Sequence, residues 1–258
     1  MTSWWGALQG WRDRRALKRR PIPDALWDLT LARYPFLALT LPAEAAALRR
    51  LATLFLARKE FHGAKGLAVT DDMAVAIAAQ ACLPVLHLGL DVYAGFVGIV
   101  VHADEVVARR EVIDEDGVVH HYDEPLAGEA MEGGPLMLSW HDVAHAGETA
   151  EWGYNVVIHE FCHVLDMNDG EADGMPPLSS RKAAQRWVDT LSAAYEAFCA
   201  DVDAGRPTVL DPYGAEAPSE FFAVACEVFF VAPRDLLAAH PDVYALLRDY
   251  FRQDPAAR

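Results

Sequence analysis

The stretch Asn155-Val156-Val157-Ile158-His159-Glu160-Phe161-Cys162-His163-Val164-Leu165-Asp166 decides how this chain is read. It contains His-Glu-x-x-His. At 3.6 residues per turn, positions 159 and 163 share one helical face, roughly 6 Å apart along the axis. Two imidazoles so placed can close on one zinc ion at the ~2.0–2.1 Å that Zn–N bonds require. Glu160 then lies beside the metal rather than at it, placed to take a proton from an attacking water. The spacing alone is a weak signal, arising by chance in roughly one shuffled chain in forty, so its context must decide. Outside the motif the segment is apolar on nearly every side, with Val156, Val157, Ile158, Phe161, Cys162, Val164, Leu165 and Met167. A helix that is hydrophobic all round is a buried one. Burying two histidines and a glutamate without strong partners is costly, and a metal ion is such a partner. The alternative is a pair of core histidines bonded to backbone carbonyls.

Catalytic zinc needs a third protein ligand and an open fourth position. Downstream, Asp211-Pro212-Tyr213-Gly214-Ala215-Glu216-Ala217-Pro218-Ser219-Glu220 leads into the apolar run Phe221–Phe230, broken only by Glu227. Ser219 reads as the N-cap of a helix. Glu220 is either the third ligand or an acid favoured by the helix dipole. Glu227, two turns on, is expected to accept a hydrogen bond from a ligand or to form a salt bridge, and Asp166 to orient an imidazole. Tyr213 is placed to donate a hydrogen bond to an oxyanion, or is an ordinary loop tyrosine. His141 and His145 have the same spacing as the motif pair, but Asp142 is one methylene shorter than Glu, and the segment reads as a polar surface stretch near the sheet. His120 and His121 fall on opposite faces of a predicted strand and read as solvated.

The 258-residue chain is 53% hydrophobic, which excludes wholesale disorder, and carries a net charge of −16. That acidity disfavours direct nucleic-acid binding by the main body. The basic residues concentrate at residues 1–20, a Trp/Arg-rich N-terminal arm with Trp4, Trp5, Trp11, Arg12, Arg14, Arg15, Lys18, Arg19 and Arg20. It reads as a terminus whose tryptophans dock on the body, or as an amphipathic arm for a membrane surface or a partner. No apolar run is long enough to cross a bilayer, and no secretory signal is visible. Cys82, Cys162, Cys199 and Cys226 are widely spaced within apolar segments and read as buried thiols, so a cytoplasmic location is expected.

Helices are predicted over 41–61, 71–81, 153–167, 180–202, 219–231 and 234–251. Short strands are predicted over Leu83–Leu88, Phe96–His102 and Leu136–Trp140, with a hairpin of Val106–Ile113 and Val118–Tyr122 about Asp114–Gly117. Helices, a small sheet, then helices give an α+β class. Residues 21–255 are taken as a single catalytic domain, with lobes at about 21–150 and 151–255.

These residues resemble a known family. His159-Glu160-Phe161-Cys162-His163-Val164-Leu165-Asp166, Tyr213 and Pro218-Ser219-Glu220-Phe221-Phe222-Ala223-Val224 resemble the Mlc titration factor A family of zinc metallopeptidases. Ala79–Leu86, Gly134–Trp140 and Tyr250–Pro255 extend the resemblance over most of residues 34–255. It implies a zincin-like fold similar in its core to the anthrax lethal factor protease domain, with helices packed on a small mixed sheet beside the His-Glu-x-x-His helix. It further implies one zinc ion per chain held by His159, His163 and Glu220, with Glu160 as general base and Tyr213 near the oxyanion. A cytoplasmic, aminopeptidase-like activity on peptide substrates would follow. The family's namesake binds and titrates the glucose-responsive transcriptional repressor Mlc, so an Mlc-like repressor is the alternative partner.

Overall fold

A computed structural model of the chain describes residues 4–113, 119–131 and 133–258, and for residues 4–7, 107–113 and 119–125 the backbone alone. In chain order the elements are α1 (Trp4–Arg19), α2 (Asp24–Arg33), α3 (Pro42–Arg58), β1 (Glu60–Gly63), α4 (Asp71–Cys82), β2 (Gly98–His102), β3 (Val106–Ile113) and β4 (Val119–Leu126). They continue as β5 (Gly128–Ala130), β6 (Leu136–Ser139), α5 (Trp140–Thr149), α6 (Val156–Asp166), α7 (Arg181–Asp203), α8 (Pro218–Val231), α9 (Pro233–Ala239) and α10 (Pro241–Phe251). The class is α+β, with helices packed on a small mixed sheet.

That sheet runs β1-β2-β6-β5, parallel through its first three strands, with β5 antiparallel to β6 at the edge. β3 and β4 pair antiparallel as a separate ribbon, from Val106 opposite Leu126 to Ile113 opposite Val119. The Asp-Gly turn expected between them lies outside the described residues, as do the side chains of His120 and His121.

α6 and α8 pack against each other at the centre of the molecule, and α4 packs on α6. Both central helices bury nearly every side chain, Glu and His included, as continuous apolar patterning requires. An aromatic cluster braces α6 from the sheet side, where Phe161 lies 4.9 Å from Tyr93, 5.6 Å from Phe55 and 5.8 Å from Phe96 between ring centroids.

Four expectations are corrected. Leu83–Leu88 forms consecutive turns rather than a strand: Leu86 N–H bonds to Leu83 O and Leu88 N–H to Val85 O, while Gln253 Nε2 donates to the carbonyls of Leu83 and Pro84. A short buried apolar run does not distinguish strand from turn, and Pro84 lacks the donor a ladder needs. The helix over 41–61 stops at Arg58, and Glu60–Gly63 becomes β1 because pairing with β2 outweighs local propensity. The helix over 234–251 is two helices, interrupted where Pro241 cannot donate to the turn before it. His141 and His145 sit on the real helix α5, whose Asp142 N–H bonds to Ser139 Oγ and whose Val143 and Ala146 are buried.

Candidate metal centre

The start of α6 is set by Asn155. Its Oδ1 accepts the Ile158 N–H at 2.9 Å, the arrangement for which asparagine is favoured at a helix start. Its Nδ2 donates to Gln80 Oε1 on α4 at 2.8 Å, and its backbone N–H donates to Glu227 Oε2 on α8. One capping residue thus fixes α6 against both neighbours. The far end of α6 is tied by Asp166, whose Oδ2 accepts the Gly174 N–H at 2.7 Å, and Gly174 O in turn accepts Trp187 Nε1–H at 2.9 Å. Gly174 holds a positive φ of 82°, and a Cβ there would stand 2.6 Å from Pro218 O at the start of α8. The loop therefore passes the α8 terminus so closely that only glycine fits.

α8 opens at Pro218, with Ala217 as the extended residue before it. Ser219, expected as the N-cap, lies inside the first turn, because proline's fixed φ and missing N–H suit the first helical position. Glu220 follows in that first turn and points back toward α6.

His159 Nε2, His163 Nε2 and Glu220 Oε2 converge. The separations are 3.1 Å between the two nitrogens, 3.1 Å from His159 to Glu220 and 3.3 Å from His163 to Glu220. Donors on a tetrahedral zinc at ~2.0–2.1 Å stand roughly 3.3–3.4 Å apart, so the spacing matches a shared cation. The protonation pattern agrees. Glu227 Oε1 lies 2.8 Å from His159 Nδ1 and takes its hydrogen, which leaves Nε2 of a neutral imidazole as a lone pair. That lone pair faces the Glu220 carboxylate and a second imidazole nitrogen, an arrangement only a cation reconciles. In the metal-free chain a proton serves: burial disfavours it, but hydrogen bonds to Glu220 and Glu227 outweigh burial and hold His159 protonated well above its ordinary range. Burial likewise works to raise Glu220, and the two histidines overcome it to hold that carboxyl far below the usual range. His159, His163 and Glu220 form a cluster able to coordinate a metal ion.

The remaining predicted residues gather around this cluster. Glu160 is buried on the same helix, and burial pushes its carboxyl up to about 6 against the pull of His159 and His163. Gly128 on edge strand β5 abuts it so closely that a Cβ there would stand 2.5 Å from Glu160 Cγ and Oε1. The Tyr213 ring centroid lies 6.0 Å from that of His159, on a turn started by Asp211, whose Oδ1 accepts the Tyr213 N–H at 2.9 Å. Tyr213 is 39% exposed, whereas both histidines are only 9% exposed, so it stands at the mouth of the site. A cavity of about 200 Å³ collects Gly128, Glu129, Glu160, Tyr213 and the three potential ligands.

Asp166 holds the Gly174 loop rather than an imidazole. Its Oδ1 and His163 Nδ1 are both buried without a hydrogen-bond partner among the described residues. Burial drives the Asp166 carboxyl up to about 6 despite the Gly174 N–H. His141 and His145 stay outside the centre, their rings 4.5 Å apart, with His145 Nδ1–H donating to its own helix at His141 O. Sequence reading missed Asn155, Gln80 and Gly128. An asparagine before an apolar run is a legible cap, but nothing local marks the other two.

The sequence profile of the glucose-regulated metallo-peptidase M90 family matches residues 8–252. Among relatives, the uncharacterized protein slr2042 of Synechocystis sp. is 37% identical over 247 residues, covering 95% of this chain and 89% of that one. Mlc titration factor A of Pectobacterium atrosepticum is 35% identical over 90% of this chain and 87% of its own. Mlc titration factor A of Edwardsiella ictaluri is 37% identical over 87% of this chain and 86% of its own. With a two-histidine, one-glutamate cluster able to hold a metal and a family match spanning nearly its whole length, the chain belongs to the glucose-regulated metallopeptidase family M90.

Proposed function

We propose that the chain is a zincin-type zinc peptidase of aminopeptidase-like action, located in the cytoplasm. The observation that carries this reading is the convergence of His159 Nε2, His163 Nε2 and Glu220 Oε2 within 3.3 Å of one another. Among the described residues three protein ligands rather than four converge, the pattern of a catalytic zinc site. When bound, zinc supplies Lewis acidity toward the scissile carbonyl and acidifies water. Glu160, held in a dry environment beside Gly128, receives the proton of the attacking water and returns it to the departing amine. Tyr213 reaches in from the mouth and donates its phenol hydrogen to the developing oxyanion. Glu227 keeps His159 in the tautomer that offers Nε2 to the metal. The test compares wild type with Glu160→Gln and His163→Ala on a peptide library, with zinc content measured in parallel. Glu160→Gln is expected to keep zinc and lose cleavage, and His163→Ala to lose both; continued cleavage by Glu160→Gln would refute the assignment.

A second reading is supported by the relatives that carry the name Mlc titration factor A. Under it the chain binds and sequesters an Mlc-like transcriptional repressor, and the metal centre is secondary. Binding of a purified repressor of that type, retained by Glu160→Gln with unchanged affinity, supports titration independent of hydrolysis. Failure of wild type to bind it removes this reading.

A further inference from the structure

A large recess lies far along the chain from the metal ligands, between α1 and the C-terminal end of α3, with a volume of about 1250 Å³. Its floor is apolar: Phe55, Tyr93 and Phe96 are buried there, and the same rings back Phe161 of α6. Its walls are cationic. Arg12, Arg15 and Arg19 line it from α1, Arg20 from just beyond its end, and Arg58 and Lys59 from the opposite side.

The acids at this site do not cancel that charge. Asp13 and Asp91 both pair with Arg58, at 2.7 and 3.0 Å, and with Glu60 they set three acidic groups against six basic ones in the lining, a net positive balance. Lys59 is committed as well: Nζ donates to Tyr93 O and Phe96 O and sits 3.6 Å above the Phe96 ring. Arg12, Arg15, Arg19 and Arg20 have no acidic partner within 4.0 Å among the described residues. Trp11, 51% exposed and 5.3 Å from the Arg15 guanidinium carbon, adds an aromatic wall. In a chain of net charge −16 this is a local inversion of sign.

We propose that this cleft binds an acidic polypeptide segment carrying apolar side chains. The volume exceeds the roughly 300–1,000 Å³ of small-molecule sites, which favours a stretch of chain. Guanidinium groups match carboxylates in bidentate geometry, and Trp11 with the aromatic floor receives apolar residues spaced between the acids. A nucleic acid would run its phosphates beyond the cleft onto a strongly acidic surface. Occupancy would press on the rings that brace α6, which links the cleft physically to the metal helix.

The experiment is fluorescence anisotropy of the full chain titrated into a fluorescein-labelled (Glu-Glu-Leu)4 peptide. Saturable binding is expected, weakening as sodium chloride rises from 50 to 500 mM. Arg15→Glu with Arg19→Glu should raise the Kd about tenfold, whereas the charge-matched Arg14→Glu with Lys18→Glu, which do not line the cleft, should change it less than about twofold. Circular dichroism checks folding, and Arg15→Gln with Arg19→Gln gives an intermediate loss if the charge reversal disturbs α1. Absence of saturable binding, equal weakening by both reversals, or tighter binding of a twelve-nucleotide oligothymidylate or of phosphatidylserine vesicles would each overturn the proposal.

Discussion

The Glu227 carboxylate holds two atoms of one helix at once: Oε1 lies 2.8 Å from His159 Nδ1, and Oε2 accepts the backbone N–H of Asn155, the residue that caps that helix. The group that sets the tautomer of a potential metal ligand therefore also sets the position of the helix carrying it. Replacing Glu227 with Gln keeps one acceptor but gives up the charge and one of the two bonds. Zinc affinity should fall by roughly 10–100-fold, as is usual when such supporting acceptors are changed. Competition with a chelating dye measures this; unchanged affinity would mean that Glu227 acts on the fold alone.

Gly128 tests the proposed base by steric displacement rather than by removal. A methyl group there would stand 2.5 Å from Glu160 Cγ and Oε1, so the carboxylate must swing away while His159, His163 and Glu220 stay where they are. For Gly128→Ala, kcat is expected to drop by about 100-fold, the scale on which small misplacements of a catalytic group are felt. Zinc content, read by atomic emission, should be unchanged. Full activity in this variant would place the base elsewhere.

Tyr213→Phe removes one hydroxyl at the mouth of the site. The ring, 6.0 Å from that of His159, keeps its place because its turn is held through the backbone to Asp211. A donor acting on the oxyanion is lost from the transition state only, so kcat should fall by about 10²–10³-fold with KM little changed. A change confined to KM would make Tyr213 a substrate contact instead.

Lys59 gives a pH dependence of stability away from the metal centre. Burial, reinforced by Arg58, lowers its ammonium to about 8 from 10.5. Between those values the unfolded chain binds more protons than the folded one, so stability from this group rises with pH across about 8 to 10.5. The gain is about 1 kcal/mol once partial exposure and solvent screening are allowed for. Urea midpoints at pH 7.5 and pH 10 should therefore shift further upward for wild type than for Lys59→Met. Parallel shifts in the two proteins would show that Lys59 titrates as an exposed lysine.

Much of the architecture was legible because the relevant physics is local. The periodicity of 71–81 and 180–202 and the apolar character of 219–231 each gave a helix within one or two residues. The strands β2 and β6 lie within the β-biased runs around them. The failures also have local causes. Pro84 and Pro241 were present in the sequence, but whether a proline ends an element or merely sits at its edge depends on what pairs with the freed carbonyls, and here the distant Gln253 bonds to those of Leu83 and Pro84. β1 and β5 are too short to carry a pattern of their own and exist only because a neighbouring strand pairs with them.

The sequence by itself determined that His159 and His163 face the same way, because helical pitch turns a spacing of four into adjacency without help from the rest of the chain. It also determined that their helix is buried, since no face of it is polar enough for water. Only the tertiary structure decided that Glu220, 61 residues on, closes the cluster, that Glu227, 68 residues on, takes the Nδ1 hydrogen of His159, and that Gly128 presses on Glu160. Those relationships join segments whose separation along the chain carries no record of their separation in space. They are fixed by how α6, α8 and the edge of the sheet pack.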